Sequence, residues 1–448
     1  MDRHIDPMVI DMPAPNELSG NRETSMPILL DKLLLVGIIA ISVWGPLAFG
    51  TTEVWSQFIQ RILVCSLVAV WMIKQAFQRA VEFPKSSIFL PLAAFGIFVA
   101  VQFLFGWTAH RRATIDEALN LIAYGGLVLV AADLFVRRRH LRTFVTGMAW
   151  FGAALAVFSI LHGFSGSDQI YGFRKVTAVS ADIFGPYANH NHYAGLMELL
   201  TPLAIAAALL EDGARRTILL FASVLMAVSI VLSRSRGGII AMLIAAIFVS
   251  VTLYRSFGQR RGALVMAGLF ATVVGLALML STDKMVSRVA VTADAYRMPI
   301  AIDSVRLVSQ KPIIGYGLGT FADVYPRSQS FFSNLLVNHA HNDYLEILVE
   351  TGIVGFSLIV WMLIAVFRSG MKKVGDKADT DGRLLILAAM TGIVAILSHS
   401  FLDFNLHIPA NAALFFLLCS AVATPFKHQM KPIEFGSPGE FETEFTES

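Results

Sequence analysis

The chain has 448 residues, 56% of them hydrophobic and only 15% charged, with a mean hydropathy of +0.65. A water-soluble enzyme carries about a quarter charged residues, so the composition excludes one and points to a polytopic membrane protein. The net charge of +3 is too small to indicate a nucleic-acid partner, and Cys65 and Cys419, both inside apolar segments, imply neither a disulfide framework nor a cysteine metal site.

Residues 1–27 are polar, contain prolines and lack a cleavable signal peptide, so they read as a disordered cytoplasmic tail. Apolar runs of about 17–25 residues, the length that crosses the hydrocarbon, then recur twelve times. They fall at 30–49, 58–73, 88–105, 118–136, 144–162, 193–210, 218–232, 238–254, 263–280, 344–367, 384–402 and 409–423. The expected fold is all-α, with one transmembrane domain over residues 28–426. Residues 427–448, acidic and containing glycine and proline, read as a second disordered cytoplasmic tail.

Basic residues set the orientation. Lys74, Arg79 and Lys85 occupy one loop, and Arg137-Arg138-Arg139 with Arg142 the next but one. Arg215-Arg216, then Arg255 with Arg260-Arg261, then Arg368, Lys372-Lys373, Lys377 and Arg383 continue the alternation. The positive-inside rule makes this side cytoplasmic, with both termini. The two longest polar loops, 163–192 and 281–343, then emerge on the outer side, which in a bacterium is the periplasm. No nucleotide cofactor is available there, so chemistry must run on an activated, membrane-delivered substrate.

Three sets of residues on that side carry chemical potential. Arg234 and Arg236 sit between two apolar runs, with Gly237-Gly238 opening the second. Arginine at a membrane helix end is either an interfacial anchor or part of a site, and its planar fork suits phosphate oxygens. The loop 281–343 holds Arg288, Arg297, Arg306, Lys311 and Arg327, most of them expected on a solvated face. Residues 298–309 are expected to form an amphipathic helix with Arg297 at its start. Gly315-x-Gly317-x-Gly319 has no βαβ context and reads as a turn after Pro312 rather than a nucleotide fingerprint.

Histidines end both loops, in Asn189-His190-Asn191-His192 and in His339-x-His341. No cysteine or HExxH helix accompanies them, so no metal site is expected. Asn189 and Asn191 suit either helix capping or hydrogen bonds to sugar hydroxyls. Asp343 is expected to cap the following helix, with Glu346 completing a capping box. His341 precedes this cap, where the helix dipole disfavours imidazolium, a suitable setting for a base. Gly352 and Gly355 are expected to let another helix approach closely. Asp403, in a polar interruption at an outer helix end, is expected to pair with one of the arginines.

This order of elements resembles the O-antigen ligase and O-antigen polymerase superfamily of bacterial inner-membrane glycan transferases. The ligase pattern is His, then Asn/Ser/Gln, nine residues, Gly, two residues and Gly/Thr/Tyr; His341-Asn342, Gly352 and Gly355 match every fixed position. Ser235-Arg236-Gly237 is similar to the family's arginine at an outer helix end, and Arg297, ahead of Pro312-Ile-Ile-Gly-Tyr-Gly, to its second arginine. Asn189-x-Asn191-x-x-Ala194 is similar to a further recurring segment.

The resemblance covers about the C-terminal 60% of the chain and implies a GT-C-like membrane glycosyltransferase without a cofactor. Its donor would be an undecaprenyl-pyrophosphate-linked glycan, and its acceptor a lipid A-core sugar or a growing polysaccharide. The implied roles are His341 as base and Arg236 and Arg297 on the pyrophosphate, with Arg234 auxiliary and His339, Asn342, Asn189, Asn191 and Asp403 in support. The alternative is a lipid-linked glycan flippase. That reading requires charges along a mid-membrane path, whereas the spans read as nearly charge-free.

Overall fold

Inside a bilayer every backbone N–H and C=O must be satisfied within the protein, so apolar runs of this length fold as helices. The computed structural model describes residues 15–78, 83–176, 183–257, 290–332 and 336–427. The described residues form α1 (Pro15–Leu47), α2 (Val54–Phe77), α3 (Phe89–Leu104), α4 (Arg111–Phe135) and α5 (Arg138–Ser165). A two-stranded antiparallel hairpin follows, β1 (Gln169–Ile170) and β2 (Arg174–Lys175), then α6 (His190–Leu209), α7 (Gly213–Leu232) and α8 (Arg236–Phe257). The rest comprises α9 (Ala290–Gln310), the single turn α10 (Phe321–Val324), α11 (Asp343–Gly375), α12 (Thr380–His399) and α13 (Pro409–Ala423).

The chain is an all-α polytopic membrane protein. Among the described residues nine helices are long and apolar enough to cross a membrane, and α3 and α13 are shorter apolar helices. Together they account for eleven of the twelve expected spans. The twelfth, 263–280, lies outside the described residues, as do Arg288 and residues 428–448. Helix α1 begins at Pro15, within the stretch expected as a tail, and its apolar membrane-length part begins at Met26.

Helix α6 is the axis of the bundle. It is apolar on all faces and buried along nearly its whole length, because α5, α7 and α12 pack around it. The basic loops do gather at one end: Arg138 pairs with Asp379 at 2.9 Å, Arg142 with Glu211 at 3.2 Å, and Arg383 donates to the Ser256 carbonyl at 2.7 Å. The starts of α6, α8, α11 and α13 lie at the other.

The expectation of nearly charge-free spans is corrected inside the bundle. Lys74, in the last turn of α2, is buried between Asp31 of α1, at 2.6 Å, and Asp133 of α4, and Asp31 also takes Arg137. Glu198 of α6 pairs with His399 of α12. Each charge meets a partner from a neighbouring helix, the condition for keeping it out of water.

Two glycine signals turn out to be one joint. Helix α11 is interrupted at Gly352, whose φ of +61° and ψ of −167° are open to glycine and strained for other residues. The Pro312–Gly319 turn docks its backbone into that break. Ile353 N–H donates to Pro312 O at 2.8 Å, Val354 N–H to Ile313 O at 3.2 Å, and Gly317 N–H to Glu350 O at 2.8 Å. The glycine run is therefore a turn, and its N–H of Gly317 is spent on α11 rather than on a phosphate. Close approach at Gly352 is by this turn's backbone, not by another helix as expected; Gly355 meets Phe98 of α3. The expected helix around 298–309 lies within α9, which begins at Ala290, so Arg297 stands inside the helix rather than at its start. Ile300 and Leu307 of α9 share a cluster with Val349 of α11 and with Phe321 and Tyr325 between them.

Candidate functional site

The turn into α11 is capped by Asn342. Its Oδ1 accepts the N–H groups of Tyr344 and Leu345, each at 3.0 Å, and its Nδ2 donates to the Phe401 carbonyl at 3.1 Å. This corrects the expected Asp343 cap by one residue: asparagine offers the same acceptor oxygen one position earlier. Asp343 points inward instead, its Oδ1 2.6 Å from His407 Nδ1 and its Oδ2 accepting Leu406 N–H at 3.1 Å. Glu346 forms no capping box, because its carboxylate takes Ala340 N–H and His339 Nδ1, both at 2.8 Å.

His341 enters this cap with φ +50°, a left-handed conformation that is strained for a non-glycine residue. The turn brings its Nδ1 to 3.3 Å from Asp403 Oδ1, with 33% of the histidine side chain exposed and the aspartate fully buried. Asp403 is the hub of the site. It accepts Asn191 Nδ2 at 2.6 Å and Phe404 N–H at 2.9 Å, and Arg297 lies 3.7 Å away while donating to the Leu402 carbonyl at 3.0 Å. Burial alone would raise the Asp403 carboxyl, but the His341 hydrogen bond and the charges of His192, His341 and Arg297 hold it well below the usual carboxylate range.

The two asparagines differ: one takes the capping role, and the other meets Asp403. Asn189 caps α6, its Oδ1 accepting Asn191 N–H at 2.8 Å. Asn191 is buried and its Nδ2 donates to Asp403 Oδ2 at 2.6 Å.

The second arginine segment arrives from α8. Ser235 is buried and its Oγ accepts Gly238 N–H at 3.1 Å, closing the first turn of α8 between two exposed arginines. Arg234 is left-handed, φ +63°. Gly237, next to Arg236, packs against His399 and Leu402. The turn therefore abuts the 399–403 segment that holds both Arg297 and, through Asp403, His341. Arg306, by contrast, pairs with Asp303 at 3.0 Å and Lys311 lies over the Tyr316 ring, 4.7 Å from its centroid, as the solvated-face reading expects.

His339 takes a different place from His341. Its ring stacks on Phe404 at 4.0 Å between centroids, and Phe404 also carries His341 and His192 edge-on at 5.0 and 4.6 Å. His339, Glu346 and His407 bring one ligand atom each within 4.8 Å of one another, a His₂Glu set of the kind that holds zinc. In the structure these atoms satisfy each other: His407 Nε2 is 3.4 Å from Glu346 Oε1, which also takes His339. Burial disfavours a charged His407, but Glu346 and the hydrogen-bonded Asp343 outweigh it and hold the ring well above the usual imidazole range.

Four of these residues escaped the sequence reading: Glu198, His399, Phe404 and His407. For the last three the available signal was the run Ser398-His399-Ser400-Phe401-Leu402-Asp403-Phe404-Asn405-Leu406-His407, which interrupts two apolar helices with more polar groups than a short turn needs.

Residues 221–360 match the O-antigen ligase family model. The match takes in Arg234, Arg236, Arg297, His339, His341 and Asn342, and leaves out Asn189, Asn191 and Asp403. Among curated proteins, the exopolysaccharide production protein ExoQ of Rhizobium meliloti (strain 1021) is 20% identical over 353 residues, covering 74% of this chain and 76% of that protein.

Proposed function

We propose that this relative of the O-antigen ligase and polymerase superfamily is a glycosyltransferase of the bacterial inner membrane. It moves a glycan from undecaprenyl pyrophosphate to a sugar hydroxyl at the periplasmic face, without a metal, and with inversion. Both matches support a role in polysaccharide assembly. The observation that carries the mechanism is the buried Asp403 against His341 Nδ1, at the bundle end that also gathers Arg234, Arg236 and Arg297.

Asp403 takes the Nδ1 proton side of the imidazole, which leaves Nε2 as the acceptor. The acceptor hydroxyl oxygen attacks the anomeric carbon, and its proton passes to His341 Nε2. The bond from that carbon to the pyrophosphate oxygen breaks, with its electron pair leaving on the pyrophosphate. The arginines neutralise the charge developing there. Attack from the face opposite the leaving group inverts the anomeric configuration.

The flippase reading needs a charged path across the middle of the bundle. The buried charges instead form separate sets toward the two ends, Lys74 with Asp31 and Asp133 at one, and Glu198, His399, Glu346 and Asp403 toward the other. The deciding experiment is reconstitution with purified lipid-linked glycan, offering lipid A-core and a second lipid-linked repeat as acceptors in separate reactions. Glycan joined to either acceptor supports the transferase and identifies it as ligase or polymerase. Translocation of the donor across the bilayer without transfer overturns it.

A further inference from the structure

Behind the arginine turn lies a pair of side chains that the proposed chemistry does not use. Glu198, two turns into α6, and His399, the last residue of α12, are fully buried and joined at 2.8 Å from Oε1 to Nδ1. Glu198 Oε2 and His399 Nε2 have no hydrogen-bond partner among the described residues. Nearly all buried polar atoms find one, so a pair left half-satisfied in an apolar core calls for a reason.

The free edge of the imidazole faces the first turn of α8. A Cβ placed on Gly237 would lie 2.6 Å from His399 Nε2 and 2.7 Å from its Cδ2, and one on Gly238 would lie 3.1 Å from Glu198 Oε1. The backbone of α8 therefore rests on the pair at the residue that follows Arg236, and only the missing side chain lets it come so close. The ring cannot swing aside freely, because Glu198 holds its opposite edge. The His399 carbonyl also accepts the N–H groups of Leu402 and Asp403, at 2.8 and 3.1 Å. One residue thus touches the turn that carries Arg236 and anchors the segment that carries Asp403.

We propose that Glu198 and His399 are positioning residues for the donor. The ring, pinned by Glu198, is the seat that sets where the arginine-bearing turn stands, and with it Arg236. This rests on the reading that Arg236 contacts the donor pyrophosphate. A displacement of about 1 Å at such a group costs on the order of a hundredfold in rate, so a fixed aromatic seat has a function that a flexible apolar side chain would not fill.

The test uses the full-length protein in proteoliposomes, with KM for purified lipid-linked glycan and for the acceptor measured separately. Gly237→Ala drives a methyl group against the His399 ring edge while leaving both side chains of the pair chemically intact. His399→Asn keeps a donor for Glu198 at the Nδ1 position but removes the ring edge under Gly237. Each variant should raise the donor KM about ten- to a hundredfold and leave the acceptor KM unchanged. Placing either change on Arg236→Ala should cause no further loss, because the arginine it positions is gone. A donor effect that adds to that of Arg236→Ala, or an equal rise in both KM values, overturns the positioning role. So does a normal Arg236→Ala loss with both seat variants silent. If Arg236→Ala itself leaves the donor KM unchanged, the donor reading fails first, and that result stands apart from the others.

Discussion

Replacing Asp403 by asparagine changes one oxygen to an amide nitrogen and removes a buried charge without changing the shape of the side chain. The two carboxylate oxygens serve different partners: Oδ1 faces His341 Nδ1 at 3.3 Å and Phe404 N–H at 2.9 Å, and Oδ2 faces Asn191 Nδ2 at 2.6 Å and Arg297 at 3.7 Å. If the amide oxygen stays toward His341, its NH₂ meets a second NH₂ on Asn191 and a guanidinium. If it flips, the NH₂ meets His341, and the ring must reverse its tautomer to accept. Either way one side loses a hydrogen bond to a charged group, worth about 1.5–3 kcal/mol, and a buried donor is orphaned.

The flipped state removes general-base help, typically about 10²–10⁴ in rate, and the unflipped state loosens Arg297. Asp403→Asn should therefore lower kcat by about 10²–10⁴ at saturating donor and acceptor, read as glycan transferred per unit time in proteoliposomes. The stability cost has a definite sign. A carboxyl held below its unfolded pKa of about 3.9 stabilises the fold fully above that pH and loses the contribution as pH falls through the folded value, so at neutral pH Asp403→Asn forfeits all of it. Turnover at the wild-type rate in a well-folded Asp403→Asn would refute the hub role and leave His341 without its orienting group.

Four further outcomes are expected. His341→Ala should lower transfer by about 10²–10⁴, with His339→Ala milder and the wild-type rate unchanged in EDTA; loss in chelator with recovery in zinc would reassign His339, Glu346 and His407 as ligands. A cysteine introduced beside Arg327 should react with an impermeant thiol reagent in intact cells and one beside Lys372 should not, and the reverse pattern would turn the site toward the cytoplasm. Gly352→Ala forces a methyl group against the Ile313 backbone at φ +61°, a strain of about 1–3 kcal/mol or more, visible as a lower melting temperature in detergent. His407, whose pKa is raised, stabilises the fold fully below the unfolded imidazole value of about 6.5. That contribution should fade as pH rises through the folded pKa, and His407→Gln should flatten this alkaline limb of a melting-temperature profile.

The succession of membrane-length helices was legible because it depends on the length of apolar runs, a local property. His341, Arg234 and Arg236 stand out in the sequence because they sit at the ends of those runs, whereas Arg297, inside a long polar loop, stands out only through the family resemblance. What stayed hidden depends on which helices meet. Glu198 reads as an isolated acid in an apolar run, and only the packing of α6 on α12 supplies its histidine. Lys74 and Asp133 are 59 positions apart and meet inside the bundle. The cap of α11 was misplaced by one residue because Asn342 and Asp343 are equally good cap types. Their tertiary partners decide between them, since Asp343 is drawn away by His407, whose segment lies 64 positions downstream.

The distribution of backbone strain bears on where this protein works. Among the described residues five non-glycine positions have positive φ: Phe49, Thr51, Tyr171, Arg234 and His341. All five follow or precede helices at the end of the bundle that holds Asp403, and none lies at the end where the basic loops gather. A left-handed non-glycine residue costs on the order of 1–3 kcal/mol and persists only where its surroundings over-determine it. At His341 the over-determination is visible: Asn342 caps α11 on one side, the Asp343 N–H donates to Ser400 O at 2.9 Å, and Asp403 holds the ring. At Arg234 it is the Ser235 cap and the bond from Arg234 N–H to Val231 O at 2.9 Å. Relaxing the His341 backbone would move its imidazole away from Asp403, and relaxing Arg234 would shift the turn whose Gly237 packs on His399 and Leu402. The residue assigned to the proton and the turn that leads into Arg236 are thus both held in strained backbone beside the same carboxylate-centred loop.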